Sequence, residues 1–346
     1  MKLGLDGTPL LGQRSGVGNY TGRLLGALMR ANPDWQYDLY SNRPLGELEP
    51  ELAGARQVAA YWPHSRWLWM QLFLPAVIQR SRPSLCHFTN SLAPLWQPRP
   101  FVLTIHDASL FLYRHLHPPA RHLTMRLILP ILARRAAAII TVSEHARQEL
   151  QRVLGIPAGK IQAIHEAAPD YFRPVTDADN LAYLCQKYQL PEKFLLFVGT
   201  LEPRKNLTRL VRALGEVRKR GYPHRLVLVG PPGWLMDGFA QEIERLELQD
   251  RVQFVGYVPA EELPGLFSLA TVFTFPSLYE GFGLPPLEAM ACGAPVLTSN
   301  RSSLAEICAG AACLVDPEDE ESIAAGLLSL LADEEWRREL AERGRR

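Results

Sequence analysis

The sequence has few cysteines, almost no net charge and no apolar run of membrane-spanning length. Its five cysteines form an odd set without a C-x-x-C pair, which argues against a disulfide framework and against a zinc site. The 37 basic and 36 acidic residues give a formal charge of +1, so no overall field attracts nucleic acid. We therefore expect a cytoplasmic protein with no nucleic-acid partner.

The most apolar segment, residues 67–78 (WLWMQLFLPAVI), contains Pro75 and lies between two arginines. A membrane-spanning helix needs about 20 apolar residues, so we do not expect this shorter segment to cross a bilayer. The first residues, MKLGLDGTPLLG, reach Asp6 and Pro9 early and lack the long apolar part of a signal peptide.

Short apolar runs alternate with amphipathic stretches along the whole chain. Runs of this length are typical of strands buried on both faces, and the stretches between them are long enough for helices. The predicted strands of the first half are residues 2–6, 37–40, 85–88, 101–105, 138–141 and 161–164. Those of the second half are residues 194–198, 226–229, 252–255, 272–275, 295–298 and 313–315.

The aperiodic stretch AAPDYFRPVTDADN, rich in proline and aspartate, separates the two series and is read as a linker. A chain of 346 residues is also long enough for two domains. We therefore predict an α/β protein with two Rossmann-like parallel-sheet domains. The first covers residues 1–168, the linker 169–180 and the second domain 181–346.

The densest motif is SLYEGFGLPPLEAMACGAPVLTSN, in which seven residues separate Glu280 from Glu288. The proline pair suits the first turn of a helix, so Gly283 and Leu284 should present backbone N–H groups to an anion. Glu288 would lie one turn into that helix, placed to accept hydrogen bonds from a ribose, with Glu280 nearer a sugar. The alternative is a pair of exposed surface glutamates.

A second motif, FVGTLEPRKNLTRL, places Arg204 and Lys205 after a strand that ends at Gly199. Ligands of open α/β sheets bind at the carboxyl ends of strands, where two cations would neutralise a diphosphate leaving group. The alternative is two solvated loop cations.

Three weaker patterns complete the set. A glycine-containing loop runs from Gly12 to Gly18, but it lacks both the G-x-G-x-x-G fingerprint and a Walker lysine, which disfavours a nicotinamide enzyme. His106 follows a predicted strand, where it is either catalytic or structural. Asp177 and Asp179 form a D-x-D pattern that we interpret as a helix cap, so we expect no catalytic metal.

These motifs together resemble the retaining glycosyltransferases of family 4, whose GT-B fold has two Rossmann-like domains facing across a cleft. EGFGLPPLEAMACGAPV resembles the family's E-x7-E signature, GTLEPRKN its phosphate-binding loop, and VQFVGYVP the segment lying against the nucleotide base. The loop at residues 12–18, HDAS and ITVSEHAR are similar to mannosyl- or hexosyltransferases of surface-polysaccharide pathways. The run IHEAAPDYF departs from the family pattern, and we assign it no role.

The resemblance implies a donor that is a nucleotide diphosphate sugar, no cofactor and a glycan or lipid-linked acceptor. His106 would face the sugar from the first domain, and Gly16 would approach the phosphates or the acceptor. The implied catalytic residues are His106, Arg204, Lys205 and Glu280. The implied donor-binding residues are Gly16, Gly199, Tyr257, Gly283, Leu284 and Glu288.

We therefore expect metal-independent transfer of a hexosyl group, most simply mannosyl, with retention of configuration. Two alternatives remain open: a nucleotide-sugar epimerase on a similar scaffold, and a catalytically silent partner subunit.

Aromatic residues around Trp62, Trp67 and Trp69 also suggest peripheral contact with the inner face of the plasma membrane. The competing interpretation is a core helix whose buried side carries Leu68, Leu72 and Ala76. Our hypothesis is limited to the exposed side of this segment.

Overall fold

The computed structural model describes residues 1–12, 16–59, 65–113, 119–233 and 238–346. The chain divides into two compact units, Met1–Glu166 and Ala167–Arg346. The stretch suggested as a linker groups with the second unit, where Phe172 is buried and its ring centroid lies 6.1 Å from that of Phe267. Trp62 and the loop residues 13–15 lie outside the described residues.

The first unit contains a parallel sheet of seven described strands in the order β3-β2-β1-β4-β5-β6-β7. Its strands are β1 (Lys2–Asp6), β2 (Gln36–Ser41), β3 (Arg56–Ala59), β4 (Leu85–Phe88), β5 (Phe101–Thr104), β6 (Ala138–Thr141) and β7 (Ile161–Ala163). Its described helices are α1 (Gly16–Ala31), α2 (Arg66–Leu68), α3 (Leu74–Ser81), α4 (Ser109–Leu112), α5 (Pro119–Arg135) and α6 (Glu144–Leu154), and a π-helical turn, Trp69–Phe73, joins α2 to α3.

The second unit contains a parallel sheet of six described strands in the order β10-β9-β8-β11-β12-β13. Its strands are β8 (Phe194–Val198), β9 (Arg225–Val229), β10 (Val252–Gly256), β11 (Val272–Phe275), β12 (Val296–Ser299) and β13 (Cys313–Val315). Its described helices are α7 (Ala178–Tyr188), α8 (Leu207–Lys219), α9 (Phe239–Arg245), α10 (Leu263–Leu269), α11 (Leu284–Ala291), α12 (Ser302–Ile307), α13 (Glu320–Ala332) and α14 (Glu334–Arg345).

Both sheets reverse their strand order at one point, and that point is where open α/β sheets bind ligands. In the first unit the reversal lies between β1 and β4, and in the second between β8 and β11. The second core is dense at this position, because the Phe275 ring stacks between Phe197 and Phe273 with centroid distances of 5.7 and 5.9 Å. A rigid aromatic layer therefore supports the loops that follow β8 and β11.

All of the runs predicted as strands form strands, within one residue at either end. The sequence interpretation missed β3, because its residues RQVA carry little apolar surface and lie at the sheet edge. There Arg56 donates to Asp38 of β2, with Nε 2.8 Å from Oδ1.

The orientation predicted for the aromatic segment is wrong. Helical residues 66–81 bury Trp69 and Met70, together with Leu74 and Ile78 of α3, in the core. Leu68, Leu72 and Ala76 instead face outward. Nearly all of this segment is apolar, so its periodicity does not distinguish the two sides. Across the described residues we find no helix with both the length and the apolar character needed to span a membrane.

Two glycines inside helices of the second unit should respond to alanine in opposite ways. A Cβ at Gly215 of α8 meets nothing described within 4 Å, whereas one at Gly326 of α13 would lie 2.6 Å from Cγ1 of Val315. We expect Gly215→Ala to raise the free energy of unfolding by about 0.5–1 kcal/mol, and Gly326→Ala to lower it by about 1–3 kcal/mol. Urea unfolding of the two variants measures both effects, and equal shifts would contradict this packing.

Candidate active site

The loops that follow β8 and β11 meet around the carboxylate of Glu280. Lys205 places its Nζ 2.7 Å from Oε1, and Arg204 places Nη1 2.5 Å from Oε2. The hydroxyl of Ser277 donates to Oε1 at 2.7 Å. Both carboxylate oxygens of Glu280 are therefore engaged by cations from the β8 loop.

The backbone around this cluster is fixed by a second set of hydrogen bonds. The amide of Leu278 donates to the carbonyl of Arg204 at 2.9 Å, which ties the two loops together. Ser302, at the start of α12, accepts from the Glu280 amide at 3.1 Å, and Ser303 donates to the Glu280 carbonyl at 3.0 Å. The position of Glu280 is therefore set by both its side chain and its main chain.

Lys205 is a buried cation in an aromatic setting. Its Nζ lies 4.6 Å from the centroid of the Phe275 ring, within range of a cation–π contact. Burial lowers the pKa of Lys205, and the charge of Arg204 lowers it further, against the opposing effect of Glu280. Burial acts to raise the pKa of Glu280, but Arg204 and Lys205 more than offset it and hold that pKa well below its usual range.

The predicted cations are brought together, but each already has an acidic partner. Besides Glu280, Arg204 contacts Glu202, with Nη2 2.6 Å from Oε1. Two cations thus face two carboxylates, and the cluster has no net charge. The alternative of solvated loop cations is wrong for Lys205, which is buried.

The helix α11 begins beside this cluster, as the proline pair predicts. Pro285 and Pro286 carry no N–H, so the backbone donors at the helix start are those of Gly283 and Leu284. A Cβ at Gly283, whose φ is 120°, would lie 2.6 Å from Cδ2 of Leu304. Glu288 lies one turn further along and is buried, so neither signature glutamate is an exposed surface residue.

Two other residues predicted for the second unit lie at the carboxyl ends of strands of the same sheet. Gly199 directly follows β8, and its carbonyl oxygen would lie 2.1 Å from a Cβ on Gly230, so the loop after β9 can approach this closely only with glycine. Tyr257 follows β10, two strands from β8, and is 58% exposed. Its ring is therefore open for stacking.

In the first unit, His106 follows β5, and both of its ring nitrogens face protein oxygens. Its Nε2 lies 2.8 Å from the carbonyl oxygen of Thr89, so that Nε2 carries the donated hydrogen. Its Nδ1 lies 3.7 Å from Oε1 of Glu166. The Tyr20 ring meets the imidazole edge-on, with centroids 4.8 Å apart. Burial, with a contribution from His106, lowers the pKa of nearby His87 to about 4.

Sequence reasoning missed several of these partners. Glu202 and Ser277 stand inside the motifs singled out above, but no spacing rule distinguishes them. Glu166 lies in the run IHEAAPDYF, to which we assigned no role, and the fold brings it to His106 from the end of β7. Gly16 opens α1, as expected from its glycine loop.

The interpretation of the D-x-D pattern as a cap is confirmed. Asp177 is the N-cap of α7, and its Oδ1 accepts from the amides of Asp179 and Asn180 at 3.1 and 3.4 Å. Within the described ranges, no three His, Cys, Asp or Glu side chains are grouped as metal ligands.

We expect Glu280→Gln to lower the free energy of unfolding by about 3–5 kcal/mol at pH 7, because it leaves a buried cation without its partner. The pKa of Glu280 is lowered on folding. Its contribution is therefore complete above the ordinary glutamate pKa of about 4.3 and is lost as pH falls toward the lowered value.

Urea unfolding between pH 7 and pH 3 measures this effect. The difference between wild type and Glu280→Gln should shrink on acidification. The double variant Lys205→Met/Glu280→Gln, which removes both charges, should recover much of the loss. A constant difference at all pH values would contradict the ionised cluster.

Comparisons with known proteins cover both units. Residues 14–168 match the model of Glycosyltransferase Family 4, and residues 186–346 match that of Glycosyl transferases group 1. The O-antigen chain mannosyltransferase B of Escherichia coli is 41% identical over 248 residues, which are 70% of this chain and 64% of that protein. The chain thus spans slightly less than two thirds of that relative.

Solved structures show the fold. Sucrose-phosphate synthase from Thermosynechococcus elongatus superposes with a TM-score of 0.81 at 24% identity, covering all of this chain and 93% of the other. Anabaena HepE in complex with UDP and glucose gives a TM-score of 0.75 at 19% identity, covering 99% and 93%. The two-sheet architecture is the GT-B fold, and the two parts of the chain match a family 4 domain and a group 1 domain of glycosyltransferases.

Proposed function

We propose that this protein is a hexosyltransferase that moves a mannosyl group from a nucleotide diphosphate sugar to an acceptor hydroxyl in cell-surface polysaccharide synthesis. The observation that carries the proposal is the buried Arg204–Lys205–Glu280 cluster beside the start of α11, at the strand-order reversal of the second sheet. The identity to an O-antigen mannosyltransferase supports the choice of sugar. Since the matched families are glycosyltransferases, the epimerase alternative gains no support.

The cluster suggests how the donor is held. A diphosphate placed at the start of α11 would receive the N–H groups of Gly283 and Leu284 and the charges of Arg204 and Lys205. Because Glu280 already satisfies both cations, the donor has to share them with it. Once the donor takes up part of this hydrogen bonding, one oxygen of Glu280 can accept from a sugar hydroxyl.

Two flanking side chains complete the proposed donor site. Glu288, one turn into α11, would accept from the ribose hydroxyls, and the open Tyr257 ring would stack on the base. The UDP complex of HepE, which has the same fold, supports a nucleotide as the ligand.

We assign the transfer retention of configuration, and the cluster supports the departure of the diphosphate. The bond from the anomeric carbon to the phosphate oxygen breaks, and a bond to the acceptor oxygen forms on the same face. The hydroxyl proton passes to the departing phosphate. Negative charge grows on the diphosphate as this happens, so Lys205 and Arg204 stabilise the transition state more than the bound donor. Glu280 and Glu288 act as positioning groups, not as the acid and nucleophile of a glycosidase.

The acceptor part of the proposal concerns the first unit. We assign His106 to the sugar side of the reaction and Gly16 to the acceptor or phosphates. The acceptor is a glycan or a lipid-linked glycan, met by peripheral contact with the cytoplasmic membrane face. No cofactor and no metal enter the scheme.

Mixing the protein with GDP-mannose, UDP-glucose and other nucleotide sugars tests the donor. A donor at 100 times its Kd should stabilise the fold by about 2.7 kcal/mol, read as a thermal shift. Transfer to an oligosaccharide acceptor should proceed equally with EDTA, and NMR should show the anomeric configuration of the donor in the product. Loss of transfer with EDTA that Mn²⁺ restores would overturn metal independence, and an inverted product would overturn retention.

Lys205→Ala should lower kcat far more than it raises KM, because the charge of Lys205 matters most in the transition state. The expected increase in the activation barrier is about 2–4 kcal/mol. Lys219→Ala, which removes an exposed lysine of the same unit, serves as the control and should retain wild-type kinetics. Unfolding curves should first establish that the Lys205 variant is folded. A folded variant with wild-type kcat would show that Lys205 has no catalytic role.

A further inference from the structure

Positive charge is concentrated in one part of the first unit. Residues 52–143 contain ten arginines, no lysine and a single acidic residue, Asp107, a net charge of +9 in a chain whose total is +1. The near-neutral overall charge therefore conceals a strongly basic segment. This segment carries α2, α3 and α5.

The helix α5 exposes an apolar stripe. Leu123, Leu127 and Ile131 follow one another at intervals of four residues, and they are 62%, 64% and 47% exposed. The opposite side of α5 is buried in the core through Leu129 and Leu132. A stripe with this spacing lies on one face of the helix, so α5 is apolar on two sides, one of them in solvent.

Arginines flank this exposed stripe. Arg126 and Arg134 are both exposed, and each lies next to or within one turn of a stripe residue. Leucine beside arginine on one helix face is the composition of helices that lie in a membrane interface.

The aromatic segment exposes a second apolar stripe. Trp67 is 43% exposed, Leu68 42% and Leu72 66%. Because Trp69 and Met70 fill the core from the other side, these outward residues are not needed to complete the packing of the unit.

Hydrogen bonds connect the two stripes through one loop. Gln71, next to Leu72, donates to the carbonyl of Ala93 at 3.2 Å and accepts from the amide of Leu95 at 2.8 Å. Arg135, at the end of α5, donates to the carbonyl of Leu95. Trp96, the next residue, is 60% exposed. The loop that carries this exposed tryptophan is therefore hydrogen-bonded to both helical segments.

We propose that these side chains form one membrane-docking surface, which binds the face of an anionic lipid bilayer. We call it the apolar-basic surface. Its members are Trp67, Leu68, Leu72, Trp96, Leu123, Arg126, Leu127, Ile131 and Arg134.

Charge complementarity indicates that an anionic membrane is the partner of the apolar-basic surface. Seven apolar side chains would enter the region between headgroups and acyl chains, and the surrounding arginines would meet the lipid phosphates. Arg126 and Arg134 of two copies would repel each other across this face, which disfavours a second copy as the partner. The surface is defined by this unit alone, and only its link to a lipid-linked acceptor rests on the proposed function.

Sedimentation with vesicles tests the surface directly. Wild type should pellet with vesicles of phosphatidylcholine and about 30% phosphatidylglycerol, and far less with phosphatidylcholine alone. Raising the salt from about 0.01 M to 1 M shortens the Debye length from about 30 to 3 Å and should release most of the protein. A wild-type protein that stays in the supernatant with anionic vesicles at low salt would overturn the proposal.

Matched variants separate the charges from the apolar side chains. Arg126→Gln/Arg134→Gln should weaken binding to anionic vesicles by about 20- to 30-fold, and Leu72→Gln/Leu127→Gln by at least tenfold. The controls are Lys219→Gln/Arg338→Gln and Tyr183→Gln, which change exposed residues of the second unit. The controls should bind as wild type does, and all variants should keep the wild-type unfolding midpoint.

Three outcomes decide the matter. Surface variants that bind vesicles as wild type does would overturn the proposal. A wild-type dimer that Leu72→Gln/Leu127→Gln dissociates would assign the surface to a second copy instead. Transfer to a soluble acceptor tests the proposed function separately. Activity without vesicle binding would support the transferase and overturn the membrane-docking surface. Vesicle binding without activity would support the surface and contradict the transferase.

Discussion

The candidate site depends on one buried carboxylate. Glu280 accepts hydrogen bonds from Arg204, Lys205 and Ser277, and it thereby closes the loop after β8 against the loop after β11. A lysine placed on the face of Phe275 would be costly without this partner, because an unpaired buried charge loses its hydration. The same contact that stabilises the loops therefore keeps two cations ready beside the start of α11.

The sheet explains why this cluster forms where it does. Strands on either side of the order reversal send their following loops apart, which leaves a crevice at their carboxyl ends. In the second unit those strands are β8 and β11, and their loops carry the two motifs that stand out in the sequence. Gly230 matters here because its backbone lies too close to the Gly199 carbonyl for it to carry a Cβ. The strand-order reversal, the close glycine contact and the charged cluster thus all lie at the same site.

In the first unit, the surroundings of His106 and the exposed helix faces are two separate features. One sheet edge brings His106, Glu166 and Tyr20 together, while the helices α2, α3 and α5 carry apolar and basic side chains outward. Leu72 and Leu127 are exposed although burying a leucine is worth about 1.5–3 kcal/mol, and we propose that a membrane surface covers them. The positive charge of residues 52–143 fits the membrane contact that we propose for this unit.

The sequence by itself determined twelve of the thirteen described strands and several residues of the candidate site. Strands buried on both faces are continuous apolar runs, so β8 and β11 could be located, and Glu280, Lys205 and the start of α11 could be named from their motifs. Tertiary structure alone decided which side chains pair with each other. Arg204 and Lys205 are some 75 residues from Glu280, and Glu166 reaches His106 across 60 residues. It also decided which side of residues 66–81 is buried, because a segment that is apolar all round takes its orientation from the core it packs against.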